Sequence, residues 1–361
     1  MTPRTRVADD DVDAQLQALE SGAGDGEITF GRGASLHVSS LSKPFFPEAG
    51  ITKGGLMRYY TRVAPFLLPE IEGRALVLKR YPNGVDGPVF FQQNAGEHVP
   101  DGVRVATLDT VDMGAKPRII GGDLLTLLYT VQLGAIEVHP WLSRVSDVDA
   151  PDRCLIDLDP GDDVAFDTVT VLAREVKRLV EAHGLNAALK TSGASGIHIV
   201  LPLPPRTTYE TSAALAMRLA NAIVAEHPEV ATVERSMKAR PKGTIYVDAL
   251  QNARGKSMAA PYSVRPRASA SVSAPISARE LTSRLRIDAF TVRTMPTRLS
   301  RAGDLWGDAI ATRPTVRMLA RVMAALDDED AAPPPRQDRP ARKKAGGSHA
   351  GPTTRRRARK R

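Results

Sequence analysis

Two aspartates, Asp157 and Asp159, close the apolar run Cys154-Leu155-Ile156-Asp157-Leu158-Asp159-Pro160-Gly161. On a strand, side chains two apart share a face, so both carboxylates point one way while Ile156 and Leu158 point into a core. Pro160-Gly161 then ends the strand. Parallel carboxylates repel each other unless a cation lies between them, and hard divalent ions such as Mg2+ or Mn2+ take oxygen ligands. Metal-assisted chemistry is one reading of this stretch; an Asp-rich surface turn is the other. An EF-hand loop is excluded. Counted from Asp157, glycine falls at position five instead of six, and position twelve is Thr168 where a bidentate Glu is required.

A third acid, Asp248, stands alone in the apolar run Thr244-Ile245-Tyr246-Val247-Asp248-Ala249-Leu250, with Gln251, Asn252, Arg254, Lys256 and Arg265 following. Buried and unpaired it would be costly, so it needs a metal, a basic partner or solvent. Ser192-Gly193-Ala194-Ser195-Gly196, with His198 just beyond, offers two glycines that allow close backbone approach, a hydroxyl and an imidazole. A triphosphate needs such donors. The Gly-Lys-Ser/Thr ending of a Walker A loop is missing. Ser236 to Gly243 is a basic loop carrying Lys238. Phe90 and Phe91 stand together in a Gly/Pro-rich loop, which has no continuous face to bury both. A base-stacking platform and an anchor tucked into the core are the alternatives. His139, just past a strand end, is a pocket candidate or a core histidine. Lys43 and Lys53 flank a loop and, taken alone, are ordinary solvated lysines.

The elements that must hold these groups follow from periodicity. Thr52 caps a helix with Leu56, Tyr59, Val63, Phe66 and Leu67 at helical spacing, and Asp123 caps a second one. Strands are expected over 75–79 and 135–138. Past the Asp157/Asp159 strand, a helix from about Phe166 to His183 puts Val169, Leu172, Val176, Leu179 and Val180 on one stripe and ends on Gly184. Strands over 187–191 and 197–203, a helix over 211–226 and strands over 231–234 and 244–250 complete the pattern. From Ser277 onward the chain reads as helices separated by Pro296 and Pro314.

The 361 residues, 42% hydrophobic and 25% charged, suffice for one large domain or two intimate ones. A single cysteine, Cys154, rules out an internal disulfide and a Cys-based zinc site, and its place on the apolar strand suggests a buried structural thiol. No signal-peptide pattern and no long apolar stretch is seen, so a cytoplasmic, nucleoid-associated protein is expected. The net charge of +8 is concentrated at the end: Arg336 to Arg361 holds eleven Lys or Arg and one acid, which leaves the remainder slightly acidic. This tail cannot build a core and suits polyanions. The expected organisation is a flexible acidic leader (1–32), a catalytic domain (33–328) and a disordered basic tail (329–361).

Eight ordered motifs carry a resemblance: Val38-Ser39-Ser40-Leu41-Ser42-Lys43, Leu78-Lys79-Arg80-Tyr81-Pro82, Gly87-Pro88-Val89-Phe90-Phe91-Gln92, His139-Pro140-Trp141, Asp157-Leu158-Asp159-Pro160, Thr191-Ser192-Gly193 with Gly196 and His198, Val247-Asp248 with Gln251-Asn252, and Ala260-Pro261-Tyr262-Ser263-Val264-Arg265. Together they resemble the polymerase domain of bacterial ligase D, of the archaeo-eukaryotic primase superfamily, over about residues 34 to 300. Without ligase or phosphoesterase modules, the chain is similar to the stand-alone primase-polymerases of that group, some associated with ligase C. Ser40 departs from the family's usual Asn, and Ala249 from its usual aromatic.

The resemblance implies an α+β, two-module primase-polymerase fold with an RRM-like catalytic module, and template-directed nucleotidyl transfer that fills short gaps or extends DNA ends in repair, with ribonucleotides accepted. It implies two divalent cations, Mn2+ or Mg2+, on Asp157, Asp159 and Asp248. Nucleotide contacts fall to His139, Ser192, His198, Lys238, Gln251 and Arg265. DNA contacts fall to Lys43 and Lys53 at a 5′-phosphate, to Lys79, and to Phe90 and Phe91 on the template. The implied partners are gapped or end DNA with a 5′-phosphate, nucleoside triphosphates, an ATP-dependent DNA ligase and Ku. A catalytically silent DNA-end binder that recruits a ligase, and a D-x-D glycosyltransferase, are the competing functions.

Overall fold

A computed structural model describes residues 4–110 and 114–331; the basic tail from residue 332 lies outside the described residues. The described residues up to Asp330 belong to one compact unit. Its first half begins with helix α1 (Arg4–Ser21), the antiparallel pair β1 (Gly26–Thr29) and β2 (Ser35–Val38), and the short pair β3 (Pro44–Phe46) and β4 (Ile51–Thr52). Helix α2 (Lys53–Ile71) follows, capped as expected by Thr52, whose side chain accepts from the Gly55 N–H. Strand β5 (Leu76–Arg80) lies between β6 (Phe90–Gln92) and β9 (Ala135–Pro140). The hairpin β7 (Val105–Thr110) and β8 (Gly114–Ile119) and helix α3 (Leu124–Gln132) come between them in the chain. A small pair, β10 (Ser143–Arg144) and β11 (Asp147–Pro151), leads into the second half.

There the chain runs β12 (Arg153–Pro160), α4 (Phe166–Ala182), β13 (Ala188–Thr191), β14 (Ile197–Pro202), α5 (Tyr209–Glu226), β15 (Ala231–Thr232), β16 (Ile245–Asp248) and β17 (Pro275–Ile276). The six strands make one sheet in the order β15-β16-β12-β14-β13-β17, antiparallel except for β15 with β16. Its heart is a βαββαβ unit with β12 and β14 central, the RRM-like module. Alternation does the expected work: Ile156 and Leu158 are buried, while Asp157 is partly exposed and Asp159 exposed. The stripe Val169, Leu172, Val176, Leu179 and Val180 on α4 is buried behind the sheet. The last described helices are α6 (Met295–Ala302), α7 (Leu305–Ala311) and α8 (Val316–Ala331). Pro296 does not separate helices but sits in the first turn of α6, where its missing N–H costs nothing. Among the described residues no helix is long and apolar enough to cross a membrane.

The halves are joined through the first residue of the acid-bearing strand. Arg153 is buried and donates through Nε and Nη2 to both oxygens of Glu70 on α2, at 3.1 and 2.8 Å, and Trp306 of α7 donates to the same carboxylate at 3.1 Å.

The stretch read as a flexible leader is instead helix and strand. Val12 and Leu16, four apart on α1, are buried in the main core, Ile28 of β1 joins them, and Asp13 and Glu20 pair with Arg62 and Arg58 of α2. Acidic residues hid a narrow apolar stripe. Leu16→Ala should therefore cost about 2–5 kcal/mol in urea unfolding, as for a buried leucine. No change in midpoint would return α1 to the status of a loose leader.

Candidate active site

Strand register, more than any single contact, assembles the site. Asp157 lies directly opposite Asp248 on β16 and opposite His198 on β14, and His198 lies opposite Lys190 on β13. Asp159 is two residues further along β12, on the same face. The two acid strands, 91 residues apart in the chain, are therefore neighbours, and the three carboxylates share one face of the sheet. Burial, then Asp159 and Asp248, push the Asp157 carboxyl up to about 7, and burial with Asp248 and Asp162 raises Asp159. Carboxyls that hold their protons so firmly want a positive counter-charge.

Asp248 is turned aside. Its oxygens accept from the Leu250 N–H at 2.8 Å, Gln251 Nε2 at 2.9 Å and Tyr246 Oη at 3.3 Å. Among the described residues no three His, Cys, Asp or Glu side chains converge tightly enough to enclose an ion. The donor set suits a hard cation nonetheless: three carboxylates on adjoining strands, with the oxygens of Asp248 engaged by Leu250, Gln251 and Tyr246.

A cleft of about 290 Å³ opens beside Asp157 and Asp159, lined also by His139, Ser192, His198, Gln251 and Arg265. These seven of the expected site residues are brought together. Lys238 is not: it stays exposed on the loop after β15, while Arg240 of that loop reaches within 3.9 Å of Asp159 and stacks 4.7 Å from the Tyr246 ring. In the 192–196 turn, Ser192 Oγ accepts from the N–H groups of Ala194, Ser195 and Gly196 at 3.1, 3.2 and 2.9 Å. The backbone donors expected to face a phosphate are thus turned onto Ser192, whose own hydroxyl proton remains to donate. Both glycines are required. A Cβ on Gly196 would lie 2.0 Å from the Leu158 carbonyl oxygen, and one on Gly193, at φ +71°, would strike Arg265 Cγ at 2.6 Å.

Sequence reasoning missed the residue that organises the far wall. Glu137 of β9, fully buried, lies 3.0 Å from Lys79 Nζ, 2.9 Å from Arg265 Nε and 3.4 Å from His139 Nε2. Neither oxygen receives a well-directed N–H, so these are ion pairs more than aligned hydrogen bonds. Burial opposes its charge, but His139, Arg265 and Lys79 outweigh that and bring its carboxyl down to about 2. A lone acid two before His139 in an apolar strand was the available signal. Lys190, a charged residue in the fully buried strand β13, was missed likewise.

The DNA candidates lie on the first half. Phe90 and Phe91 are 54% and 72% exposed, which removes the core-anchor alternative; they belong to the edge strand β6, not to a loop. Lys79 sits 5.9 Å from the Phe91 ring. Lys53 is buried at the start of α2, with Nζ on the Ser39 carbonyl at 2.9 Å. Burial and the neighbouring Lys43 lower its amine to about 8, against the pull of Asp25. Lys43 binds the Pro82 carbonyl and Asn83 Oδ1 at 2.6 and 2.9 Å.

Residues 52–306 match the family model of the LigD primase-polymerase domain. The chain belongs to the LigD primase-polymerase family. It is 31% identical over 290 residues to the multifunctional non-homologous end joining protein LigD of Pseudomonas aeruginosa, which covers 80% of this chain and 34% of that protein. It is 33% identical over 269 residues to the bifunctional LigD of Bacillus subtilis, covering 74% of this chain and 43% of that protein. The chain thus spans less than half the length of these relatives. Among solved structures it is similar to the polymerase domain of Mycobacterium tuberculosis Ligase D in complex with DNA, with TM-score 0.72 and 30% identity over 77% of this chain and 99% of that one. The fold is that of the archaeo-eukaryotic primases, and the family to which the chain belongs is one of primase-polymerase domains.

The raised carboxyl of Asp157 has a sign that can be tested. Between about pH 4 and 7 the folded state holds a proton that the unfolded state has lost, so this group's contribution to stability falls as pH rises. Metal-free Asp157→Asn should gain stability over the wild type progressively across that window and level off above it. A difference independent of pH would mean that Asp157 is not perturbed.

Proposed function

We propose that this protein is a template-directed nucleotidyltransferase that fills short gaps or extends ends in DNA repair, and that it accepts ribonucleotides. The observation that carries the reading is the register that sets Asp157 opposite Asp248, with Asp159 on the same face, beside a cleft lined by Ser192, His198 and Arg265. Asp157, Asp159 and Asp248 would hold two Mg2+ or Mn2+ ions. When bound, such ions lower the pKa of a primer 3′-hydroxyl and neutralise the triphosphate. Ser192 Oγ, the His198 ring and the Arg265 guanidinium would hold the phosphates, and His139 and Gln251 would line the nucleotide. Lys238, exposed on the loop after β15 and outside the cleft lining, would act on the phosphates from the rim.

On the DNA side, Lys43 and Lys53 would grip a 5′-phosphate across the gap, and Phe90 and Phe91 would stack on the template, where base–aromatic stacking is worth about 1–3 kcal/mol per base. Glu137 would then join the two sides, touching Lys79 beside Phe91 and Arg265 at the phosphates. An ATP-dependent DNA ligase and Ku are the partners proposed, in line with the end-joining proteins to which the chain is similar. The basic tail would add affinity for any duplex. A silent end-binder needs no three acids on one face, and a glycosyltransferase leaves Phe90, Phe91 and the lysines idle.

Labelled-nucleotide extension on gapped DNA tests the reading. Asp157→Ala with Asp159→Ala should abolish addition and leave gapped-DNA affinity within about twofold, because the acids hold cations and not the duplex. Residual primer extension in that variant would end the metal mechanism.

The lysine grip should titrate. With Lys53 lowered to about 8, the preference for a 5′-phosphorylated over an unphosphorylated gap should weaken between about pH 7 and 9 as the amine loses its proton. In Lys53→Ala the preference should be small and flat with pH; an unaltered preference in that variant would make Lys53 a structural lysine.

A further inference from the structure

The cross-strand row in the catalytic sheet is longer than the proposed chemistry uses. It runs Lys190, His198, Asp157, Asp248 over four strands, and Lys190 is left without a task. This lysine is fully buried, and among the described residues no ion pair joins it to a carboxylate. Its Nζ lies 2.6 Å from His198 Nδ1 and 2.8 Å from Ser273 Oγ. Burial pushes its amine well below the usual range. A group buried at that cost weakens the fold, so its presence calls for a use other than stability.

Hydrogen-bond directions indicate the use. Ser273 Oγ donates its proton to the Thr191 carbonyl at 2.8 Å, so it presents a lone pair to Lys190. On the other side of Lys190, Nδ1 of His198 must accept if the lysine donates there too. The far edge of the ring has Nε2 3.4 Å from Asp157 Oδ1, where a carboxylate calls for a donor. One neutral tautomer satisfies both edges, with the proton on Nε2 and the lone pair on Nδ1.

We infer that Lys190 is a positioning residue that fixes the plane and the Nε2–H tautomer of His198, so that the ring presents a donor to a nucleoside triphosphate. The inference rests on the reading of the cleft as a triphosphate site. Once a cation engages Asp157, that carboxylate is no longer free to orient the imidazole, and Lys190 alone keeps a proton on the nitrogen that faces the cleft. With the other tautomer, a lone pair would face a phosphate oxygen.

Lys190→Met keeps the length of the side chain and removes its donors. Thermal unfolding should give an equal or higher Tm, since the buried amine is gone. Two-bond proton–nitrogen spectra of histidine-labelled protein in mildly alkaline buffer with saturating Mg2+, which occupies Asp157, should show the Nε2–H pattern for His198 in the wild type and a mixture of tautomers in Lys190→Met. Affinity for a non-hydrolysable nucleoside triphosphate with Mn2+ should fall about tenfold while gapped-DNA binding holds, the loss expected for one hydrogen bond to a charged group. Ser273→Ala, which frees Lys190 on its other side, should give the same spectral change in smaller measure, and it decides the matter if Lys190→Met does not fold. An unchanged tautomer pattern, or unchanged triphosphate affinity in a folded Lys190→Met, overturns the inference. A wild type that binds no triphosphate would instead sink the nucleotidyl-transfer reading, with the spectra still deciding what Lys190 does to the ring.

Discussion

Like charges directly across an antiparallel ladder destabilise a sheet, and this one sets Asp157 against Asp248 with Asp159 one step along. Most of the surrounding structure answers that constraint. Asp248 is drawn off to Gln251 and the Leu250 amide, Asp159 has Arg240 within 3.9 Å, and Asp157 faces His198 with Lys190 behind it. Each acid is thus answered by its own neutral or cationic partner. Stability is given up at the centre of the sheet and recovered around it, in the apolar face under Ile156 and Leu158 and in the Glu70–Arg153 pair at the strand's other end.

Glu137 solves a related problem with the opposite sign. Arg265, Lys79 and His139 could not crowd one wall of the cleft without a buried counter-charge, and a carboxylate that lacks well-directed hydrogen bonds neutralises them without using up every donor. The same side chain spans the two halves: β9 belongs to the first, Arg265 to the second. The cleft wall at Arg265 and the strand that carries Lys79 are therefore electrostatically continuous.

Much of this was legible in the chain because the deciding features are local. The D-x-D strand, the Gly193/Gly196 turn, the caps Thr52 and Asp123 and the stripe on α4 each follow from spacing alone. What was not legible depends on partners distant in sequence. Phe90 and Phe91 read as loop residues because β6 is three residues long and exists only through pairing with β5. Glu137 and Lys190 went unread, since nothing local shows that their strands bury them against Arg265 and His198. The helix α1 was hidden by its acids, whose arginine partners lie 38 and 49 residues on. Lys238 was chosen over Arg240 in a loop where both are basic, and only the fold brings Arg240 to the acids.

Cys154 lies on the acid-bearing strand, fully buried, with its thiol pushed up to about 12 by burial. It is the chain's one sulfhydryl, and it is both shielded and protonated. Maleimides and peroxide will therefore find no native target thiol in the folded protein. A cysteine introduced on the exposed Lys238 loop or beside the exposed Phe91 becomes the single reactive handle, so a fluorophore can be attached on either half of the molecule without first replacing the native cysteine.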